Sequence, residues 1–142
     1  MKASKDDCEL LANAPLVTGR YQSWQPGHGV PIRSTVGAPR FWRHGEMPHL
    51  REITPYGVFG KGLDHEAARA AYRTRLDQRG DAIVAGLADL ARRHPAQALC
   101  VLCFEDVQAG KECHRRWFAT WFEERHGIVV PELPAAQPSL PL

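Results

Sequence analysis

Cys113, His114, Arg115 and Arg116 occur consecutively, a short loop beyond the apolar run LCVLCF and its acidic close, Glu105-Asp106. A thiol, an imidazole and two guanidiniums side by side offer a nucleophile, a proton carrier and an anion clamp. Helical spacing downstream, with Trp117 and Trp121 in line with Cys113 and Phe118 and Phe122 in line with His114, makes this the start of an amphipathic helix. A thiol at a helix N-terminus beside cations has its thiolate favoured, with pKa values falling toward about 3.5–7.5. The alternative is a small packing cysteine and a hydrogen-bonded histidine that lock a loop. Two arginines at the positive end of a helix repel unless an anion sits between them. That anion is either an external ligand or an internal acid, for which Glu105 or Asp106 would serve. Glu105 itself reads as a general base or as the charge partner of Arg115.

Other candidates are weaker. Cys100 and Cys103, three apart on a strand, face opposite sides and cannot easily chelate one metal together, so both read as core. A redox pairing of Cys103 with Cys113 across the loop is a minor alternative. No cofactor and no metal is expected. Arg40-Phe41-Trp42-Arg43 brings cations and aromatics together as base-stacking sites do, although pinning a glycine-rich loop would use the same residues. Tyr56 belongs in that category. From Leu10 to Gly45 there is no acidic residue, while Arg20, Arg33, Arg40 and Arg43 fall in the span, so a locally positive surface is expected there.

These residues need elements to hold them. Pro15 to Trp24 mixes β-branched and aromatic residues and reads as a first strand, with Ile32 to Val36 as a short second one. Leu50 to Phe59 suggests another extended segment. Asp64 is a plausible N-cap for a helix over 65–78, and Ile83, Val84, Leu87, Leu90 and Ala91 repeat at helical spacing over 81–93 before Pro95. Ala98 to Phe104 is a buried central strand. The last helix spans about 112–126, ends at Gly127, and is followed by a closing strand over Ile128–Val130. Strand, helices, strand, helix, strand gives an α/β fold: a three-layer, Rossmann-like sandwich around a small, partly parallel central sheet. Its strand-to-helix crossing after residue 104 lies where open sheets bind ligands. Residues 1–14 read as a flexible or weakly helical lead-in, 15–133 as one domain, and the proline-rich 134–142 as a disordered tail.

With 142 residues, 44% hydrophobic and 24% charged, the chain has the composition of one soluble domain. A net charge of +2 does not by itself imply nucleic acid. No window reaches membrane-spanning length, the N-terminus lacks a signal-type apolar region, and a cytoplasmic protein with reduced thiols is expected. The partners that fit are a small anionic ligand or nucleotide, with nucleic acid as a further possibility and no membrane.

Leu102-Cys103-Phe104-Glu105 followed by Cys113-His114-Arg115 resembles the signature of the domain-of-unknown-function 488 family, a strand ending in Glu and a Cys-His-Arg helix start. Gly37-Ala38-Pro39-Arg40-Phe41-Trp42 resembles a segment of its small actinobacterial-type members, and the similarity spans roughly residues 15 to 133. Phe104 and the spacer from Asp106 to Glu112 are less typical. The resemblance implies a three-layer α/β fold and an active site of unassigned chemistry at Glu105, Cys113, His114 and Arg115. Three functional classes follow: an enzyme acting on a small anionic or nucleotide-like substrate, a nucleic-acid or nucleotide binding module without catalysis, and a structural or partner-binding protein.

Overall fold

A computed structural model describes residues 3–58, 62, 64–104 and 113–133. Its elements run α1 (Lys5–Asn13), β1 (Leu16–Arg20), β2 (Val30–Arg33), α2 (His65–Gln78), α3 (Gly80–Arg93), β3 (Leu99–Cys103) and α4 (His114–His126), with short 3-10 turns at Pro26–His28 and Arg51–Ile53. The sheet has order β1-β3-β2 and both pairings are parallel. The fold is therefore an α/β sandwich, and its sheet is wholly parallel among the described strands.

Strand parity explains the layers. Leu16, Val30, Ile32, Leu99 and Val101 join one core with buried residues of all four helices, including Leu11, Tyr72, Leu87, Phe118 and Trp121. The alternate residues Val17, Cys100 and Leu102 pack on the other face against Tyr21, Trp24 and Trp42. The third layer is thus built of loop-borne aromatics, which explains why a glycine- and proline-rich stretch carries so many rings. Central β3 is buried at every position, as its unbroken apolar run requires.

Local chemistry sets the element boundaries. Asp64 Oδ1 accepts from Ala67 N at 2.8 Å and starts α2. Gly127, at φ +68°, terminates α4. Gly29 has φ +121°, and a Cβ there would lie within 3.0 Å of Ala98 Cβ, so only glycine lets β2 begin beside β3. The lead-in forms a capped helix: Ser4 Oγ accepts from Asp7 N, Asp7 accepts from Ser4 N, and Asp7 pairs with Arg92 of α3.

Three expectations differ from the structure. Leu50 to Val58 is not extended but turns through a 3-10 segment, where Arg75 Nε and Nη2 donate to the carbonyls of Thr54 and Arg51. Phe59 lies outside the described residues. Ile128–Val130 forms no strand; the main-chain pairing comes later, as Thr18 N donates to Pro131 O at 2.9 Å and Leu133 N to Thr18 O at 2.7 Å. The β2 strand ends at Arg33; beyond it Ser34 reaches the Leu102 carbonyl of β3 through its hydroxyl, and Thr35 turns its hydroxyl to Gly37 O. The tail over 134–142 lies outside the described residues.

Candidate functional site

The ends of β3 and α4 meet at Cys103 and Cys113, which form a disulfide. Cys103 shares the parity of Leu99 and Val101, so its side chain faces the helices and meets the start of α4. Cys113 is the N-cap residue of α4; its carbonyl accepts from Arg116 N at 3.0 Å, while its side chain is left out of the capping. Both cysteines are buried. The pairing that the sequence carried only as a minor alternative is the one observed, and Cys103 is more than a packing residue. Cys100, on the opposite face, is a core thiol that donates to His28 O at 3.1 Å, with burial pushing its pKa up to about 11.

His114 adjoins this pair. Its Nε2 lies 2.8 Å from Ser34 O and 3.0 Å from Ser34 Oγ, and its Nδ1 lies 3.6 Å from Cys113 Sγ. A carbonyl only accepts, and the Ser34 hydroxyl donates to Leu102 O at 2.7 Å, so Nε2 carries the proton and Nδ1 presents a lone pair to the sulfur. Tyr72 of α2 packs edge-on to the ring at 5.7 Å. Burial lowers the His114 pKa to about 4, with the Arg115 charge acting the same way and the Ser34 backbone contact opposing.

Arg115 is fully buried. Its Nε and Nη2 donate to the two Glu132 carboxylate oxygens at 3.0 and 2.7 Å, and Nη1 donates to Cys103 Sγ at 2.9 Å. Arg116 donates through Nη1 to Thr18 Oγ1 and to Val130 O, each at 2.8 Å. The Thr18 hydroxyl in turn donates to Glu132 Oε1 at 2.6 Å. The anion that two arginines at a helix start call for is therefore an internal carboxylate, Glu132. Glu105, together with Asp106, Lys111 and Glu112, lies outside the described residues.

The remaining sequence candidates sit elsewhere. Arg20 Nε reaches Phe104 O at 3.5 Å, at the rim where β1 and β3 end. Trp42 stacks near Trp24 and His44, with centroids 5.2 and 4.8 Å away, and donates to Gly45 O at 3.1 Å. Arg40 is exposed on the same loop. Tyr56 lies under the Arg75 guanidinium at 5.3 Å, on the α2 side and without a described link to the cysteines. Among the candidates, the structure unites Cys113, His114, Arg115 and Arg116. It adds Cys103, Ser34, Thr18 and Glu132. Ser34, just past β2, and Thr18, within β1, had no signal beyond their hydroxyls, whereas Glu132 was findable as an acid close behind the last helix.

The fold and the cluster together define a small α/β protein with a buried cysteine pair, a neutral imidazole and a neutralised arginine at the carboxyl end of its central strand. No family model, curated protein or solved structure matches the chain. Among the described residues, no helix is long and apolar enough to cross a membrane.

Proposed function

We propose that the protein performs thiol–disulfide exchange with a small disulfide substrate, using Cys113 as nucleophile and Cys103 as resolving thiol. The observation that carries this is the Cys103–Cys113 disulfide at the strand-to-helix crossing, between an imidazole lone pair and a guanidinium N–H. In the reduced protein, the Nδ1 lone pair of His114 accepts a hydrogen bond from the Cys113 thiol, the proton passes on to solvent, and the helix N-terminus favours the thiolate. The thiolate attacks one sulfur of the substrate disulfide, giving a mixed disulfide and one substrate thiolate. Cys103, activated by the Arg115 N–H, then attacks Cys113 Sγ, closes the internal disulfide and releases the second substrate thiolate. Both leaving thiolates take up protons, and two electrons have passed from the cysteine pair to the substrate. A reducing compartment such as the cytoplasm would regenerate the dithiol. We also put forward the domain-of-unknown-function 488 family as the chain's family, on the resemblance of Cys113-His114-Arg115 to that family's signature.

Thiol counting tests this. Of four cysteines, Cys8 and Cys100 are free, so the denatured protein should show two thiols when oxidised and four when reduced (4 − 2 = 2 exchangeable). The reduced protein should reduce oxidised glutathione. Cys103→Ser should accumulate a mixed disulfide at Cys113, and Cys113→Ser should lose the reaction. A count that does not change between oxidising and reducing buffers would end the proposal.

A second reading has its own observation. Phe41 is exposed and lies beside Phe104, and the same loop carries exposed Arg40, Arg43 and His44 and the half-buried Trp42. Such a surface suits stacked bases and phosphates. It predicts single-strand binding that weakens steeply with salt and drops in Trp42→Ala. Affinity indifferent to salt, or none, would refute it.

A further inference from the structure

We propose that the reduced protein holds a thiophilic divalent cation of the zinc class between Cys103 Sγ, Cys113 Sγ and His114 Nδ1, and that closing the disulfide expels it. The inference shares the reducible cysteine pair with the redox reading and rests on that pair opening, but it needs no disulfide substrate.

The three ligand atoms lie within 4.8 Å of one another, on three buried residues. With bonds of about 2.3 Å to sulfur and 2.0–2.1 Å to nitrogen, a tetrahedral zinc site has a sulfur–nitrogen edge of about 3.6 Å and a sulfur–sulfur edge of about 3.8 Å. The distance from Cys113 Sγ to His114 Nδ1 is 3.6 Å, so that edge is already formed. Reduction must let the two sulfurs part to the other edge while Cys103 Sγ, which lies within 4.8 Å of the other two ligand atoms, comes to the same sulfur–nitrogen edge from Nδ1. The sequence argued against chelation by pairing Cys103 with Cys100. The fold instead gives Cys103 two new companions from the start of α4.

The surroundings fit a bound cation. A ligating histidine ordinarily donates its other ring N–H to a carbonyl or carboxylate, which fixes the tautomer. Here Ser34 O accepts from Nε2 at 2.8 Å and leaves the Nδ1 lone pair facing the sulfur. Metal-bound thiolates are stabilised by N–H donors, and Arg115 Nη1 supplies one to Cys103 Sγ. Charge closes as well. Two thiolates and a divalent cation sum to zero, and Arg115 is already neutralised by the bidentate Glu132. A filled site would bury no net charge, the condition a dry pocket imposes. Three protein ligands leave one coordination position open.

Oxidation balances without a further partner when the oxidant is hydrogen peroxide. The two thiolates lose two electrons and form the Cys103–Cys113 bond. The peroxide takes those electrons and two protons to become two waters, and the cation leaves as the free dication.

The test uses the full chain, reduced and freed of metal, then titrated with cobalt(II) and, separately, with zinc. One cobalt per chain should bind, with a thiolate-to-cobalt charge-transfer band, and zinc should displace it. Hydrogen peroxide should release the metal in step with the loss of two titratable thiols. Cys8→Ser, at an exposed free cysteine, should keep the stoichiometry, whereas Cys113→Ser and His114→Gln should lower affinity at least tenfold. Reduced wild-type protein showing four thiols but retaining no metal would overturn the proposal while leaving the exchange chemistry untouched. A full charge-transfer band in Cys113→Ser would overturn it too, by placing the metal elsewhere. Should the variants fail to fold, the wild-type coupling between thiol count and metal release decides alone.

Discussion

Replacing Glu132 by glutamine is expected to destabilise the protein by about 3–5 kcal/mol, the range for removing one partner of a buried ion pair. The substitution keeps the shape and removes only the charge. Arg115 has no exposed surface, and both carboxylate oxygens accept its N–H donors. Oε1 also accepts from Thr18, whose hydroxyl is held by Arg116. An amide has one acceptor and one donor end. Whichever way the new amide turned, its NH2 would face a guanidinium N–H, and a buried positive charge would lie against a donor. Urea unfolding measures the loss, and a change below about 1 kcal/mol would mean that water or a rearranged partner replaces the carboxylate. The double change Arg115→Met with Glu132→Leu should cost less than Glu132→Gln alone, since it removes both charges together. That comparison separates a real ion-pair dependence from general sensitivity of the segment after α4.

The same pair shows where sequence reasoning stops. The wrong-signed arginines on α4 announced a missing anion, and that inference was sound because the helix dipole is a local property. Which carboxylate supplies it is not local. Glu132 is brought to Thr18 by main-chain pairing across 114 positions, and residue spacing carries no trace of that. The Ile128–Val130 expectation failed for a related reason: β-branched residues favour extension, but the hydrogen bonds fall where β1 has a free edge, at Pro131 and Leu133. Elements whose causes are short-range were legible, such as the Asp64-capped α2 and the all-apolar β3. Cys103 illustrates both sides. Parity correctly separated it from Cys100, and the same parity turned it toward the helices and Cys113. The aromatic third layer was half legible, as ordered rings in a glycine-rich stretch, while the sheet face they cover had to come from the fold.

In metal-free protein, His114 should make stability fall as pH drops from about 6.5 to about 4. The folded-state pKa is about 4, held down first by burial and then by the Arg115 charge, against an ordinary value of 6.5. Above 6.5 both folded and unfolded chains carry a neutral ring, and this residue adds no pH dependence. Between 6.5 and 4 the unfolded chain binds a proton that the folded chain refuses, so stability rises with pH across that window and is lost on acidification. A gap of this size corresponds to about 3 kcal/mol. His49 and His126, whose pKa values burial also lowers, add to the slope with the same sign. His114→Gln, which can still donate to Ser34 O, should flatten the curve between pH 4 and 6.5. Nuclear magnetic resonance should find one imidazole with no titration step near 6.5. If every ring titrates near that value, His114 is not held neutral. The consequence reaches the chemistry: a ring neutral at physiological pH cannot lower the Cys113 pKa as a cation. It acts through its Nδ1 lone pair, as hydrogen-bond acceptor of the thiol and relay for its proton, and the positive field at Cys113 comes from the α4 N-terminus. Thiol reactivity should therefore survive mutation of His114 at high pH, where solvent removes the proton, and fall near neutrality.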